Sequence, residues 1–253
     1  MYLLFDIGAT KTRIAVSDGD RMGEPVIIPT HQNFDEALRV FVSAAQKVLN
    51  GARPEKIVGG ATGKIARHAP LKKTLEDALS APVMLENDAA LAGLGEAHFG
   101  AGRGREIVAY FTISTGVGGA RIVRGAIDAN AQGFEPGFHI IETATRQTLE
   151  DAISGRAVER RFGVKPEAIR DAQLWEELAE KLAVGIHNAV VFWSPDIVIL
   201  GGSMILGNPA IPLERIHAHL AALPQIFPEL PTIEKAALGD SAGLYGALAL
   251  ANR

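Results

Sequence analysis

The chain has 253 residues, 25 Lys and Arg against 29 Asp and Glu, a formal net charge of −4, and no cysteine. That balance argues against a broad basic surface for nucleic acid, and the missing thiols exclude disulfides, thiolate zinc sites, iron–sulfur clusters and cysteine nucleophiles. At roughly 150 residues per domain the length suits one large or two modest domains. No apolar run is long enough to span a bilayer, and the opening MYLLFDIGAT lacks the basic start of a signal peptide. No nucleic-acid or membrane partner is expected, and a cytoplasmic location is.

In chain order, Tyr2 to Phe5 is an apolar run, Asp6 to Thr10 a turn, and Thr12 to Ser17 an alternating strand. Val26 to Pro29 reads as a third strand. Asp35 to Asn50 carries apolar residues at helical spacing, capped by Asn33 or Asp35. Lys56 to Gly59 is a brief strand, Leu71 to Leu79 a helix, Pro82 to Leu85 a strand and Asn87 to Phe99 a helix. Ile107 to Ile113 is a continuous apolar strand of the kind buried on both faces. Gly118 to Val123 follows as a strand, and Thr148 to Phe162 and Leu174 to Phe192 as helices. Asp196 to Leu200 is a buried strand ending in Gly201 and Gly202. Leu213 to Leu220 and Ser241 to Ala251 close the chain as helices. Both halves open with strand, glycine turn and strand, which predicts an α/β protein of two similar lobes.

Three stretches carry chemistry. Asp6-Ile7-Gly8-Ala9-Thr10-Lys11-Thr12 ends a buried strand with a carboxylate, then a glycine turn, then donors. Such a turn can hold phosphate oxygens while Asp6 sits near magnesium through water. An ordinary hairpin is the plain alternative. Ser114-Thr115-Gly116-Val117-Gly118-Gly119 repeats this logic in the second half, where glycines allow close approach to a ligand. In Glu86-Asn87-Asp88-Ala89-Ala90, Asp88 at a helix start is either a cap or a base for a substrate hydroxyl.

Taken together and in order, these stretches resemble the ROK family of sugar kinases, within the sugar kinase, Hsp70 and actin superfamily. DIGATKTRIAVSD and ISTGVGGA are similar to its two phosphate motifs, ENDAALAGLGE to its catalytic segment, and GFEPGFH to its sugar-binding segment. TLEDAISGRAVERR is similar to the segment after its zinc loop, and DIVILGGSMI to its nucleotide-side glycine turn. The resemblance implies two actin-like (RNase H-like) α/β lobes with an interlobe active-site cleft. It implies transfer of the γ-phosphoryl of ATP to a hydroxyl of a sugar or amino sugar, with ATP and magnesium as cofactors. It makes Asp88 the general base and gives Asn87, Glu135 and Glu150 to sugar hydroxyls. It gives Gly8, Thr10, Lys11, Thr115 and Gly116 to the phosphates, with Asp6 beside magnesium, and Gly201 and Gly202 to the adenosine.

The chain departs from the family at three places. ETATRQ stands where a Cys-rich zinc loop is usual, so no zinc is expected. The family's His aligns with Phe138, and His139 lies one place beyond. His139 is carried as a substrate contact, with a hydrogen-bonded structural histidine as the equal alternative. The stretch from Gly60 to Leu71 is short; Gly63, Lys64, Arg67 and His68 either contribute to sugar binding there or, the commoner case for any one of them, are solvated loop residues. The expected lobes are residues 1–108 with 241–253, and 109–240. A sugar-binding sensor or regulator without catalysis and a kinase for a non-sugar alcohol remain as rival readings. A DNA-binding regulator is disfavoured because the chain starts at its first strand. A homodimer is left open.

Overall fold

The computed structural model describes residues 1–62 and 70–253, so Gly63, Lys64, Arg67 and His68 lie outside the described residues. The chain divides into one unit of Met1–Phe99 with Asp240–Arg253 and a second of Gly100–Gly239. Ile107–Ile113 is a strand of the second unit's sheet.

The first unit begins with β1 (Tyr2–Ile7), β2 (Lys11–Asp18), β3 (Arg21–Met22), β4 (Val26–Pro29) and α1 (Phe34–Leu49). β5 (Lys56–Ala61), α2 (Leu71–Leu79), β6 (Val83–Asn87) and α3 (Asp88–Phe99) follow. The sheet order is β3-β2-β1-β5-β6, with β4 also on β2. β1 and β2 form an antiparallel hairpin, whereas β1, β5 and β6 run parallel. Leu3, Leu4 and Phe5 are wholly buried, because helices cover both faces of a parallel sheet. Phe5 meets Phe41 of α1 edge to face, with centroids 5.3 Å apart. Asn33 caps α1 by accepting the Glu36 N–H.

The second unit holds β7 (Ile107–Ile113), β8 (Val117–Val123), β9 (Ala126–Ile127) and the hairpin β10 (Ile140–Glu142) and β11 (Gln147–Thr148). Then come α4 (Leu149–Ile153), α5 (Gly155–Phe162), α6 (Ala172–Trp193), β12 (Ile197–Gly201), α7 (Ser203–Leu206), α8 (Leu213–Ala222) and β13 (Thr232–Lys235). Its sheet order is β13-β12-β7-β8-β9. β7 and β8 are antiparallel, and β7, β12 and β13 are parallel. The segment β2-β1-β5-β6 of the first sheet thus has the same sense as β8-β7-β12-β13 of the second. α6 lies on its sheet through Leu178, Leu182 and Ile186, all with no exposed surface.

One predicted helix is broken. Thr148 to Phe162 reads as continuous, but Ser154 adopts φ −67° and ψ 151° and separates α4 from α5. Ser154 caps α5 through its hydroxyl, which accepts the Ala157 N–H. The break frees the next two amides for carbonyls elsewhere in the unit, as described below.

The chain then returns to the first unit as α9 (Ala242–Ala251). α3 and α9 cross closely because glycines face backbone. A Cβ on Gly246 would overlap the Leu91 carbonyl, and one on Gly95 would overlap the Ala242 carbonyl.

Candidate functional site

In the first unit the parallel strands β1, β5 and β6 end at one edge, where open α/β sheets place their ligands. The register pairs Asp6 with Gly60 and Ala61 with Asn87, which brings Asp6 and the β6–α3 junction to that edge. Gly60 permits the approach, since a Cβ there would lie 3.1 Å from the Asp88 Cα. A Cβ on Gly243 of α9 would lie 2.7 Å from the Asp6 carboxyl carbon. The Asp6 carboxyl therefore occupies space that glycine leaves open.

Both acids are perturbed. Burial, and then the nearby charge of Asp88, push Asp6 up to about 7, while Arg13 pulls it down. Burial also raises Asp88, opposed by the Ala89 N–H that donates to its Oδ1 at 3.0 Å. The cap of α3 is Asn87, whose Oδ1 accepts the Ala90 N–H at 3.0 Å. This assigns the capping role to Asn87, with Asp88 as the first residue of the helix. It leaves Asn87 its two amide N–H donors and one oxygen lone pair to offer a ligand.

The β1–β2 turn is closed by the Gly8 N–H donating to the Lys11 carbonyl at 3.0 Å. Thr30 fastens it, its N–H donating to the Thr10 carbonyl and its hydroxyl to the Gly8 carbonyl at 2.9 Å. Thr10 and Lys11 are exposed on this anchored turn. Sequence reasoning missed Arg13, Asp240 and Gly243 as neighbours of Asp6. The signal for Arg13 was available, because a hairpin closed by Gly8 and Lys11 pairs Asp6 with Arg13.

In the second unit the turn Ser114–Gly116 lies between β7 and β8, closed by the Ser114 N–H to the Gly116 carbonyl at 2.9 Å. Thr115 is exposed. The α4–α5 break grips this turn: Gly155 N–H donates to the Ser114 carbonyl at 2.7 Å and Arg156 N–H to the Thr115 carbonyl at 3.3 Å. Glu150 Oε2 accepts the Val117 N–H at 2.8 Å. A Cβ on Gly116 would lie 2.7 Å from that same oxygen. Gly116 therefore makes room for Glu150, beyond any ligand it approaches.

Glu135 is exposed and precedes a 3-10 turn, Pro136–Phe138, that is seated on β8. Gly137 packs on the Val117 carbonyl, and Pro136 fills the space beside Gly119. Phe138 is 63% exposed. His139 follows, its carbonyl accepting the Leu149 N–H at 3.1 Å. Its Nε2 is buried without a hydrogen-bond partner among the described residues, and burial lowers its pKa. ETATRQ forms the tight β10–β11 turn, with Arg146 at φ +58°. Gly201 and Gly202 end β12, parallel to β7. A Cβ on Gly201 would lie 2.7 Å from the Tyr110 hydroxyl, and Gly202, at φ +87°, packs on the Ile113 carbonyl. Backbone packing on β7 and the positive φ thus already demand glycine at Gly202, whereas Gly201 is crowded only by side-chain atoms.

Among the described residues, no three His, Cys, Asp or Glu side chains gather as a cation cage. No helix among them is long and apolar enough to cross a membrane.

The family model described as "ROK family" matches residues 2–253. An N-acetyl-D-glucosamine kinase of Histophilus somni is 27% identical over 313 aligned positions, covering 99% of this chain and 98% of that protein. The ROK hexokinase of Thermus thermophilus is similar in structure, with TM-score 0.84 and 29% identity over 98% of this chain and 97% of that one. A ROK glucokinase of Streptomyces griseus, solved with glucose and AMPPNP, shares the fold at TM-score 0.79 and 23% identity, covering 98% of each chain.

Proposed function

The chain belongs to the ROK family, and on that premise we propose that it is an ATP-dependent kinase that transfers the γ-phosphoryl group to a hydroxyl of a sugar or amino sugar. The observation that carries the reading is Asp88. It is part-buried at the carboxyl edge of the parallel strands, its pKa is raised, and Asn87 has taken the capping role. The similarity to an N-acetyl-D-glucosamine kinase and a hexokinase supports the substrate class.

In this reading Asp88 accepts the hydrogen bond, and then the proton, of the attacking hydroxyl. Its pKa, raised by burial, makes it a better proton acceptor than a solvated carboxylate. Asn87 donates from its amide to a neighbouring hydroxyl. Glu135 and Glu150 accept further hydroxyls, and His139 offers the ring nitrogen that has no partner in the described chain. Carboxylates that accept hydrogen bonds around one ring fix its orientation. Thr10, Lys11 and Thr115 supply donors to phosphate oxygens from turns that Thr30 and the α4–α5 break hold in place. Gly8 and Gly116 keep those turns tight, and Gly201 and Gly202 present backbone to the nucleotide.

Magnesium fits Asp6. Its carboxylate is an oxygen donor beside the negative charge of Asp88, and such a place suits a cation that keeps waters and phosphates as its other ligands. Asp6 would hold it, through water, and it would neutralise charge on the transferring phosphates. A cytoplasmic location, where ATP is abundant, goes with this reading.

The test is a coupled ADP-release screen with magnesium-ATP across hexoses, N-acetylhexosamines and polyols. Sugar-dependent ADP release is expected with at least one hexose or N-acetylhexosamine. Release only with a polyol or with no acceptor at all overturns the sugar assignment.

A further inference from the structure

Glu150 touches more of the site than a sugar ligand requires. Its Oε2 accepts the Val117 N–H at 2.8 Å, at the far end of the Ser114–Gly116 turn. Its own main chain continues through Ser154, whose N–H donates to the Glu150 carbonyl at 3.1 Å, into the amides of Gly155 and Arg156. Those amides donate to the Ser114 and Thr115 carbonyls. One short segment thus bonds the turn three times, twice by backbone and once by a carboxylate. Gly116 has no Cβ where a Cβ would displace that carboxylate. Glu150 Oε1 has no hydrogen bond among the described residues and lies 3.8 Å from the Gly116 Cβ position.

We propose that Glu150 is a positioning residue for the phosphate-binding turn, so that one of its carboxylate oxygens sets the shape of that turn while the other meets the sugar. This rests on the kinase reading above and adds a linkage to it. A hydroxyl that binds Oε1 orders the carboxylate, the ordered carboxylate holds the Val117 N–H, and the turn is better formed for phosphate. Linkage is reciprocal, so bound nucleotide favours sugar to the same degree.

The turn's dependence on Glu150 is measurable without any sugar. Calorimetric titration of the whole chain with magnesium-ADP gives the sugar-free nucleotide affinity. Glu150→Ala removes a charge-assisted acceptor from a part-buried N–H and is expected to weaken ADP about tenfold. Glu150→Gln keeps an oxygen for the Val117 N–H and is expected to stay within about threefold of the unmodified chain. A second titration at saturating D-glucose or N-acetyl-D-glucosamine is expected to tighten ADP in the unmodified chain and to have no effect in Glu150→Ala. If Glu150→Ala does not fold, Glu150→Asp, one methylene too short for the Val117 N–H, replaces it with the same expected loss.

Sugar-free ADP affinity that is equal in the unmodified chain, Glu150→Ala and Glu150→Asp overturns the positioning role and leaves the kinase reading standing. Equal losses in Glu150→Gln and Glu150→Ala also overturn it, because Gln retains the acceptor. No ADP binding by the unmodified chain overturns the kinase reading and this inference together.

Discussion

Arg13 stands directly opposite Asp6 across the β1–β2 ladder, one guanidinium nitrogen 4.0 Å from an Asp6 carboxylate oxygen and the other on the Asp240 carboxylate. Asp240 lies in the 3-10 turn Gly239–Ser241 that leads into α9, so the strand after the first glycine turn is tied to the end of the chain. Arg13 is also the cation that holds Asp6 down against burial and the charge of Asp88.

Replacing Arg13 by Gln removes that cation. The pKa of Asp6 then rises further, and the acidic limb of the kcat/KM profile is expected to move to higher pH. Activity at pH 6 falls more than activity at pH 8.5. A limb that does not move separates Arg13 from the ionisation of Asp6.

Asp6 also predicts a conflict between stability and function. An acid whose folded pKa lies above its unfolded one binds its proton more tightly when folded. For Asp6, raised from 3.8 to about 7, the contribution to stability is greatest below pH 4. It declines between about pH 4 and 7 and is lowest above that window. Asp6→Asn removes the charge and keeps the shape, so it is expected to stabilise the chain at pH 8 by about 1–4 kcal/mol. Turnover is lost in the same variant. Thermal melts at pH 4.5 and pH 8 test this, since the gain must grow with pH.

Asp88→Asn is expected to lower kcat by about 10²–10⁴-fold. Because Asn87 supplies the cap, α3 keeps its N-terminus and the melting temperature does not fall. Magnesium-ADP affinity is expected to stay near that of the unmodified chain. Near-normal turnover in this variant, once an acceptor is known, would remove Asp88 from the chemistry.

Gly246→Ala tests the helix crossing and leaves the catalytic groups in place. The added methyl overlaps the Leu91 carbonyl, which is backbone and cannot swing aside. Overpacking of this kind costs about 1–3 kcal/mol, and backbone contacts lie at the upper end. Chemical denaturation reads the loss. Gly133→Ala has open space but φ +97°, so its cost comes from strain alone and is about 1 kcal/mol.

The order of strands and helices, and the duplicated strand–turn–strand opening of each half, could be read from the chain alone. Buried strands such as Ile107–Ile113 advertise themselves as apolar runs. The turns after them are marked by glycines at fixed offsets. Asp6, Asp88 and the two glycine turns stood out in the same local patterns, whereas Glu135, His139, Glu150, Gly201 and Gly202 came only from the resemblance to the ROK family. Where the reading failed, local pattern was ambiguous. Thr148 to Phe162 has helical composition throughout, and only the carbonyls of Ser114 and Thr115, far away in sequence, explain why the helix stops at Ser154.

What the sequence by itself determined is therefore the set of chemical groups and the segments that bear them, because hydrophobic period and glycine placement act over a few neighbouring residues. What only the tertiary structure decided is how those groups are tuned. Arg13 and Asp240 meet across 227 positions of sequence. Asn87 displaced Asp88 as the cap, and Glu150 proved to hold a turn that begins before it in the chain. Burial, charge proximity and hydrogen-bond partnership are sums over neighbours in space, and no local pattern contains them.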